Sequence, residues 1–221
     1  MLKNNVDIIS IKDKEYPEIL KNIYDPPLWL YIRGNKEILN KNSIAIIGCR
    51  ECTEYGKNVA KELAYNIAKQ NINIVSGLAK GIDGIAHEAA VAAKGKTIAV
   101  LGNGLDTIYP AENIILAKEI LKSGGAIISE YPLGEKPQRQ NFPERNRIVS
   151  GMSKEIIVVE AKEKSGTLIT VDFALDQGRD VFVVPGNINQ ETSKGTNELI
   201  KQGAKLITNY KEVVKEYKKE R

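Results

Sequence analysis

Six short segments of this chain carry the residue types from which an anion site is built. Gly48-Cys49-Arg50 is the first. Glycine lets the backbone approach a ligand closely, a helix N-terminus behind it leaves N–H groups free, and arginine adds a bidentate phosphate contact. Ser76-Gly77-Leu78-Ala79-Lys80-Gly81-Ile82-Asp83-Gly84 supplies a hydroxyl, glycines and a lysine. No Gly-Lys-Ser/Thr closes it, so it is not a P-loop. Gly102-Asn103-Gly104-Leu105-Asp106-Thr107 begins like a dinucleotide fingerprint, but Thr107 replaces the third glycine. It also follows the third apolar run, not the first, so no nicotinamide cofactor is expected. Phe142-Pro143-Glu144-Arg145-Asn146-Arg147, preceded by Lys136 and Arg139, sets four cations around one aromatic ring. Phosphates need cations and unstacked bases need flat apolar faces. Ser165-Gly166-Thr167-Leu168-Ile169-Thr170 follows Glu160-Ala161, and Pro185-Gly186-Asn187 leads to Gly195-Thr196-Asn197.

Seven apolar runs must position these segments: Ile44–Ile47, Ile72–Val75, Thr97–Leu101, Ala126–Ile128, Ile156–Val159, Val181–Val184 and Leu206–Ile207. The clearest are short, β-branched and continuous, as in strands covered on both faces. Between them apolar residues recur at helical spacing, as in Val59, Ala60, Leu63, Ala64, Ile67 and Ala68. Ile85–Ala93 and Ile114–Leu121 repeat the pattern. This alternation predicts an α/β fold with a mostly parallel, doubly wound sheet. Ligands then bind beyond the carboxyl ends of the strands, which is where the glycine-bearing segments fall. Residues 1–42 contain Tyr16-Pro17, Asp25-Pro26-Pro27 and Arg33-Gly34. They read as a short N-terminal extension packed on the core and anchored by Trp29, Leu30 and Tyr31. Tyr210–Arg221 reads as a polar helix with a small apolar face.

Composition narrows the function classes. The chain has 221 residues, 42% hydrophobic and 27% charged, an ordinary globular mix. Its net charge of +4 is too small to identify a polyanion partner, so only local clustering argues for one. No apolar run approaches a membrane span, and the start at residues 1–7 lacks a signal peptide's apolar core. Two cysteines make no disulfide framework, so a reducing cytosol is expected. Cys49 and Cys52 form a lone Cys-x-x-Cys, where a structural zinc site needs four ligands. They read as incidental buried thiols, and no metal or cofactor is expected. His87, the one histidine, reads as a structural hydrogen-bonder. No nucleophile–base–orienter set emerges and no carboxylate pair is distinctively placed; Asp83 and Glu160 are the only acids of the ligand-facing segments worth testing, so no enzyme is expected.

The ordered set Gly48–Arg50, Ser76–Asp83, Gly102–Asp106 with Tyr109-Pro110, Ser129-Glu130-Tyr131-Pro132, Phe142–Arg147, Ser165–Thr170, Pro185-Gly186 and Gly195–Asn197 resembles the DNA-processing protein A (DprA/Smf) family over about residues 16–208. The resemblance implies an extended Rossmann-like domain over 43–221 that binds single-stranded DNA, protects incoming strands in natural transformation and helps load the RecA recombinase. It further implies a cytoplasmic homodimer. By the same resemblance Arg50 and Arg139 contact phosphates, Phe142 stacks on a base, and Arg145 and Arg147 line or support the pocket. Gly48, Ser76, Gly77, Lys80, Asn146, Ser165, Gly166 and Thr167 complete the implied DNA-binding set. Cys49 stands where the family usually has serine, and a thiol is the poorer hydrogen-bonder. The N-terminal helical and C-terminal winged-helix domains of many members are not expected in this chain. The competing reading is a small-nucleotide binder or phosphoribohydrolase-like enzyme of the same fold group. A Pro-Gly-Gly-x-Gly-Thr loop with a following glutamate would favour it, and Pro185-Gly186-Asn187 only starts that way.

Overall fold

The structure, a computed structural model, describes residues 6–219. Residues 1–5, part of the start read for a signal peptide, and residues 220–221, part of the stretch read as a polar helix, lie outside the described residues. The strands are β1 (Asp7–Ser10), β2 (Trp29–Gly34), β3 (Ser43–Ile47), β4 (Asn73–Ser76), β5 (Thr97–Val100), β6 (Ala126–Ser129), β7 (Glu155–Val158), β8 (Asp180–Val183) and β9 (Lys205–Leu206). The helices are α1 (Glu18–Lys21), α2 (Glu54–Ala68), α3 (Ile82–Ala92), α4 (Ile114–Lys122), α5 (Asn141–Gly151), α6 (Gly166–Asp176), α7 (Glu191–Lys201) and α8 (Tyr210–Lys219).

All nine strands form one sheet in the order β1-β2-β6-β5-β4-β3-β7-β8-β9. From β6 to β9 every pairing is parallel, for example Ala45 with Ile156 and Ile46 with Ile157. The seven predicted runs match β3–β9 to within a residue or so. One face carries Ile44, Ile46, Ile74 and Ile157 under α2, α3 and α8. Ala99, Leu101 and Ile127 continue that face under α4. The other carries Ala45, Ile47, Val75, Ile156 and Val158 under α5 and α6. Both faces are dry, so the strands need no polar alternation.

The N-terminal segment differs from a layer lying on the sheet. Its Trp29–Gly34 is a strand, paired antiparallel with β6 at Tyr31–Ser129 and Ile32–Ile128, and β1 pairs with it at the sheet's edge. Leu30 and Ile32 are fully buried, each contributing about 1.5–3 kcal/mol by leaving water. Tyr16, Leu20 and Ile23 cover the same core.

Strand order reverses between β3 and β7, because the chain winds outward from β3 through β4, β5 and β6, then returns to β7 on the other side. Side-chain-lined loops diverge there, leaving a crevice at the carboxyl ends of the strands.

Candidate nucleic-acid interface

A cleft of about 780 Å³ occupies that crevice. Its first wall is the β3–α2 loop. Gly48 is needed for packing, since a Cβ there would lie 2.7 Å from Ile82 Cγ1. Cys49 N–H donates to the Glu160 carbonyl (2.9 Å) and Ile82 N–H to the Cys49 carbonyl (3.2 Å). Thr53 caps α2, its hydroxyl accepting from Gly56 N–H at 3.1 Å. The buried Glu160 carboxylate accepts from Thr53 N–H (2.9 Å), the Thr53 hydroxyl (2.5 Å) and the Thr192 hydroxyl (3.1 Å). A loop held at this many points projects Arg50 outward in one direction. The exposed Arg50 guanidinium lies 5.8 Å from the centre of the Phe142 ring.

Phe142 is the second residue of α5, where Pro143 in the first turn costs no hydrogen bond. Its half-buried ring lies 5.5 Å from the Tyr109 ring, inclined by 35°. The two rings offer a flat apolar platform beside the Arg50 cation. Arg139, also exposed, lines the same cleft.

Arg145 forms the floor. It is buried, and its Nη1 donates to the carbonyls of Gly77 (2.6 Å) and Val100, joining α5 to the ends of β4 and β5. Gly77 permits this approach, since a Cβ would stand 2.5 Å from the guanidinium. Gly77 N–H donates to Asp83 Oδ2 at 3.1 Å. Burial lowers the Arg145 pKa to about 10, with the Arg50 charge pushing the same way and Asp83 opposing. Arg145 therefore stays charged at neutral pH, a fixed cation under the cleft. Burial pushes the Asp83 carboxyl up, against the pull of Arg145.

The far wall is the start of α6. Ser165 precedes the helix without a side-chain cap, and its Oγ has no partner among the described residues. Gly166 is open to the cleft, and Thr167 and Thr170 line it. A helix N-terminus presents N–H groups and the positive end of the helix dipole. Asn146 ties α5 to this wall by donating to the Gly166 carbonyl at 3.2 Å.

Ten of the thirteen implied DNA-binding residues meet here: Gly48, Arg50 and Gly77, then Arg139, Phe142, Arg145 and Asn146, then Ser165, Gly166 and Thr167. Three lie off the cleft. Ser76 is fully buried, its hydroxyl donating to the Ile46 carbonyl at 2.7 Å. Lys80 pairs with Glu112 at 2.6 Å on the surface. Arg147 holds Glu130 with two bonds of 2.6 and 2.7 Å, and its Nε donates to both the carbonyl and the carboxylate of Asp25 at 3.0 Å. Helical spacing gives the reason: at ~100° per residue, Arg145 and Asn146 fall within roughly 60° of Phe142, and Arg147 about 140° away. The cleft also takes Tyr109 and Lys162, which sequence reasoning left out of the site. Lys162 sits in a loop following a strand, the general position of ligand groups in such sheets.

Two glycine-bearing segments serve the fold. Asn103 spends its amide on the carbonyls of Gly104 (2.9 Å) and Thr107 (2.7 Å). Asn197 bonds Gly186 through both backbone groups, at 3.2 and 3.1 Å. His87 is structural, as read: it is fully buried with Nδ1 2.6 Å from Thr97 Oγ1. The Thr97 hydroxyl donates to the Ile74 carbonyl (2.6 Å), so Nδ1 is the protonated nitrogen. Burial lowers the His87 pKa to about 3. Cys49 is buried and Cys52 half-buried, and burial raises both thiol pKa values, away from the reactive thiolate. Among the described residues no three His, Cys, Asp or Glu side chains group to hold a metal, and no helix is long and apolar enough to cross a membrane.

Comparison with known proteins places the whole arrangement. The family model for DNA recombination-mediator protein A matches residues 7–218. The DNA processing protein DprA of Bacillus subtilis is 46% identical over 97% of this chain and 72% of its own length. The X-ray structure of DNA processing protein A from Streptococcus pneumoniae superposes with a TM-score of 0.90 at 43% identity, covering 96% of this chain and 75% of that one. The Helicobacter pylori DNA processing protein A, described for its unique single-stranded DNA binding mode, gives 0.86 at 34% identity over 97% of both chains. The extended Rossmann-like fold and the ordered motifs thus have one source: the chain belongs to the DNA recombination-mediator protein A family.

Proposed function

We propose that this chain binds single-stranded DNA in the cleft at the β3–β7 reversal, holding the strand without altering it. Its role is that of a cytosolic homodimer in natural transformation, protecting incoming DNA and helping to load the RecA recombinase. The observation that carries the reading is Arg50 over Phe142, beside Tyr109, at the mouth of a cleft with a buried cation beneath and a helix N-terminus opposite. The cations and N–H groups suit phosphates, and the rings suit bases that duplex pairing would hide. The single-stranded DNA binding mode of the Helicobacter pylori relative supports the choice of ligand.

Binding of single- and double-stranded oligonucleotides of equal length, at several salt concentrations, tests it. The single strand binds more tightly, and Arg50→Glu lowers the salt slope by about 0.7 for the lost phosphate contact. Equal affinity for both forms, or an unchanged slope, overturns the site. Light scattering tests the dimer, and RecA assembly on bound strands tests the loading role. The two acids that sequence reasoning would test for the phosphoribohydrolase reading are taken up structurally, Glu160 by Thr53 and Thr192 and Asp83 by Gly77. Release of base from a nucleoside monophosphate would restore it.

A further inference from the structure

We propose that Glu160 is the positioning residue for Arg50: it grips the β3–α2 loop on both sides of that arginine and so sets its phosphate contact. The inference rests on the single-strand reading of the cleft. Glu160 is 1% exposed and is not among the residues lining the cleft, so it acts on DNA only through the loop it holds.

Three observations carry it. First, one residue meets both flanks of Arg50. The Glu160 carbonyl accepts from Cys49 N–H at 2.9 Å, immediately before Arg50. The Glu160 carboxylate accepts from Thr53 N–H at 2.9 Å and from the Thr53 hydroxyl at 2.5 Å, just after the loop. Between these grips Arg50, Glu51 and Cys52 make no backbone–backbone hydrogen bond among the described residues. The Lys162–Glu51 pair at 3.4 Å is exposed on both sides, and such pairs hold a loop weakly. Second, the grip is stiff. A buried carboxylate is costly unless its oxygens are filled. Glu160 is in no ion pair among the described residues, and hydroxyl and N–H donors fill it, Thr192 adding a third at 3.1 Å. A loop that swung away would strip both Thr53 donors from a buried charge. Arg50 is therefore ordered before DNA arrives and loses less freedom on meeting a phosphate. Third, α2 leaves room for the carboxylate. A Cβ at Gly56 would overlap Glu160 Oε2 and stand 2.5 Å from its Cδ. Alanine is the more stable choice inside a helix, so the glycine serves the space that Glu160 fills.

Titrations of a single-stranded oligothymidylate against the full chain test the role, with unfolding in urea measured alongside. Glu160→Gln keeps the side-chain volume but turns one acceptor oxygen into a donor among donors. It weakens binding about fivefold, and the loss falls on Arg50 alone. Arg50→Ala weakens the parent about tenfold but the Glu160→Gln protein less than about threefold. Arg139→Ala, in the same cleft but outside the loop, costs the same in both. Gly56→Ala, which favours the helix but displaces the carboxylate, gives the same loss and the same blunted response to Arg50→Ala. It serves equally where Glu160→Gln fails to fold. A role in folding alone would shift the urea midpoint while Arg50→Ala kept its full effect in each background. That result, or parent affinity in both variants, overturns the positioning role and leaves the cleft reading standing. A parent chain that binds no single strand, or binds it equally well after Arg50→Ala, overturns the cleft reading and this inference with it.

Discussion

The Arg50 guanidinium lies 5.8 Å from the centre of the Phe142 ring, although Arg50 belongs to the loop after β3 and Phe142 to the first turn of α5. A cation over a ring face is attracted to the ring's quadrupole, and each group steadies the other. Phosphate contact and base stacking are thereby joined in one unit.

That coupling makes Phe142 and Arg50 non-additive. Phe142→Ala weakens single-strand binding by about 1–3 kcal/mol, the usual worth of one stacked base. In a double-mutant cycle with Arg50→Ala, the pair shows an interaction energy of about 0.5 kcal/mol or more. Strict additivity in titrations at fixed salt would mean that they bind independently.

Gly77 and Gly166 face opposite situations and separate packing from access. A Cβ at Gly77 meets the Arg145 guanidinium, which cannot retreat because the Gly77 and Val100 carbonyls hold it. Gly77→Ala is destabilising by about 1–3 kcal/mol in urea unfolding. A Cβ at Gly166 meets nothing within 4 Å, so Gly166→Ala leaves stability unchanged or slightly raised.

Arg147 is expected to act on stability and not through contact with DNA. Its bonds to Glu130 and Asp25 are intramolecular, and its side chain is only 12% exposed. Arg147→Met costs about 1.5–3 kcal/mol of folding free energy, because charged partners lose their hydrogen bonds. The salt slope of DNA binding stays as in the parent protein, where Arg50→Glu lowers it.

His87 makes stability depend on pH on the acid side. Its pKa is about 3 when folded and 6.5 in the ordinary state, so below pH 6.5 the unfolded chain binds the extra proton. The contribution is complete above pH 6.5 and declines by about 1.4 kcal/mol per pH unit as pH falls toward 3. His87→Leu flattens the stability profile in that window relative to the parent. Parallel profiles for the two proteins would show that the ring is protonated in the folded state.

Sequence by itself determined the parallel strands and the rim where chemistry gathers. Strands dry on both faces must be uninterrupted β-branched runs, and those are visible without coordinates, as in Ile44–Ile47 and Ile156–Val159. Glycines and hydroxyls after those runs mark loops that admit an anion, since few other residues let a backbone come so close. Tertiary structure alone decided the rest. β1 and β2 belong to the sheet only because β6 offers them an edge, and strands that mix exposed with buried positions carry a weaker pattern than the continuous apolar runs. Arg50, Arg145 and Arg147 are chemically alike in sequence, but solvent, the strand-end carbonyls and a carboxylate pair claim one each. Which partner a charged side chain finds depends on residues far along the chain, and that proximity exists only once the sheet has closed over its core.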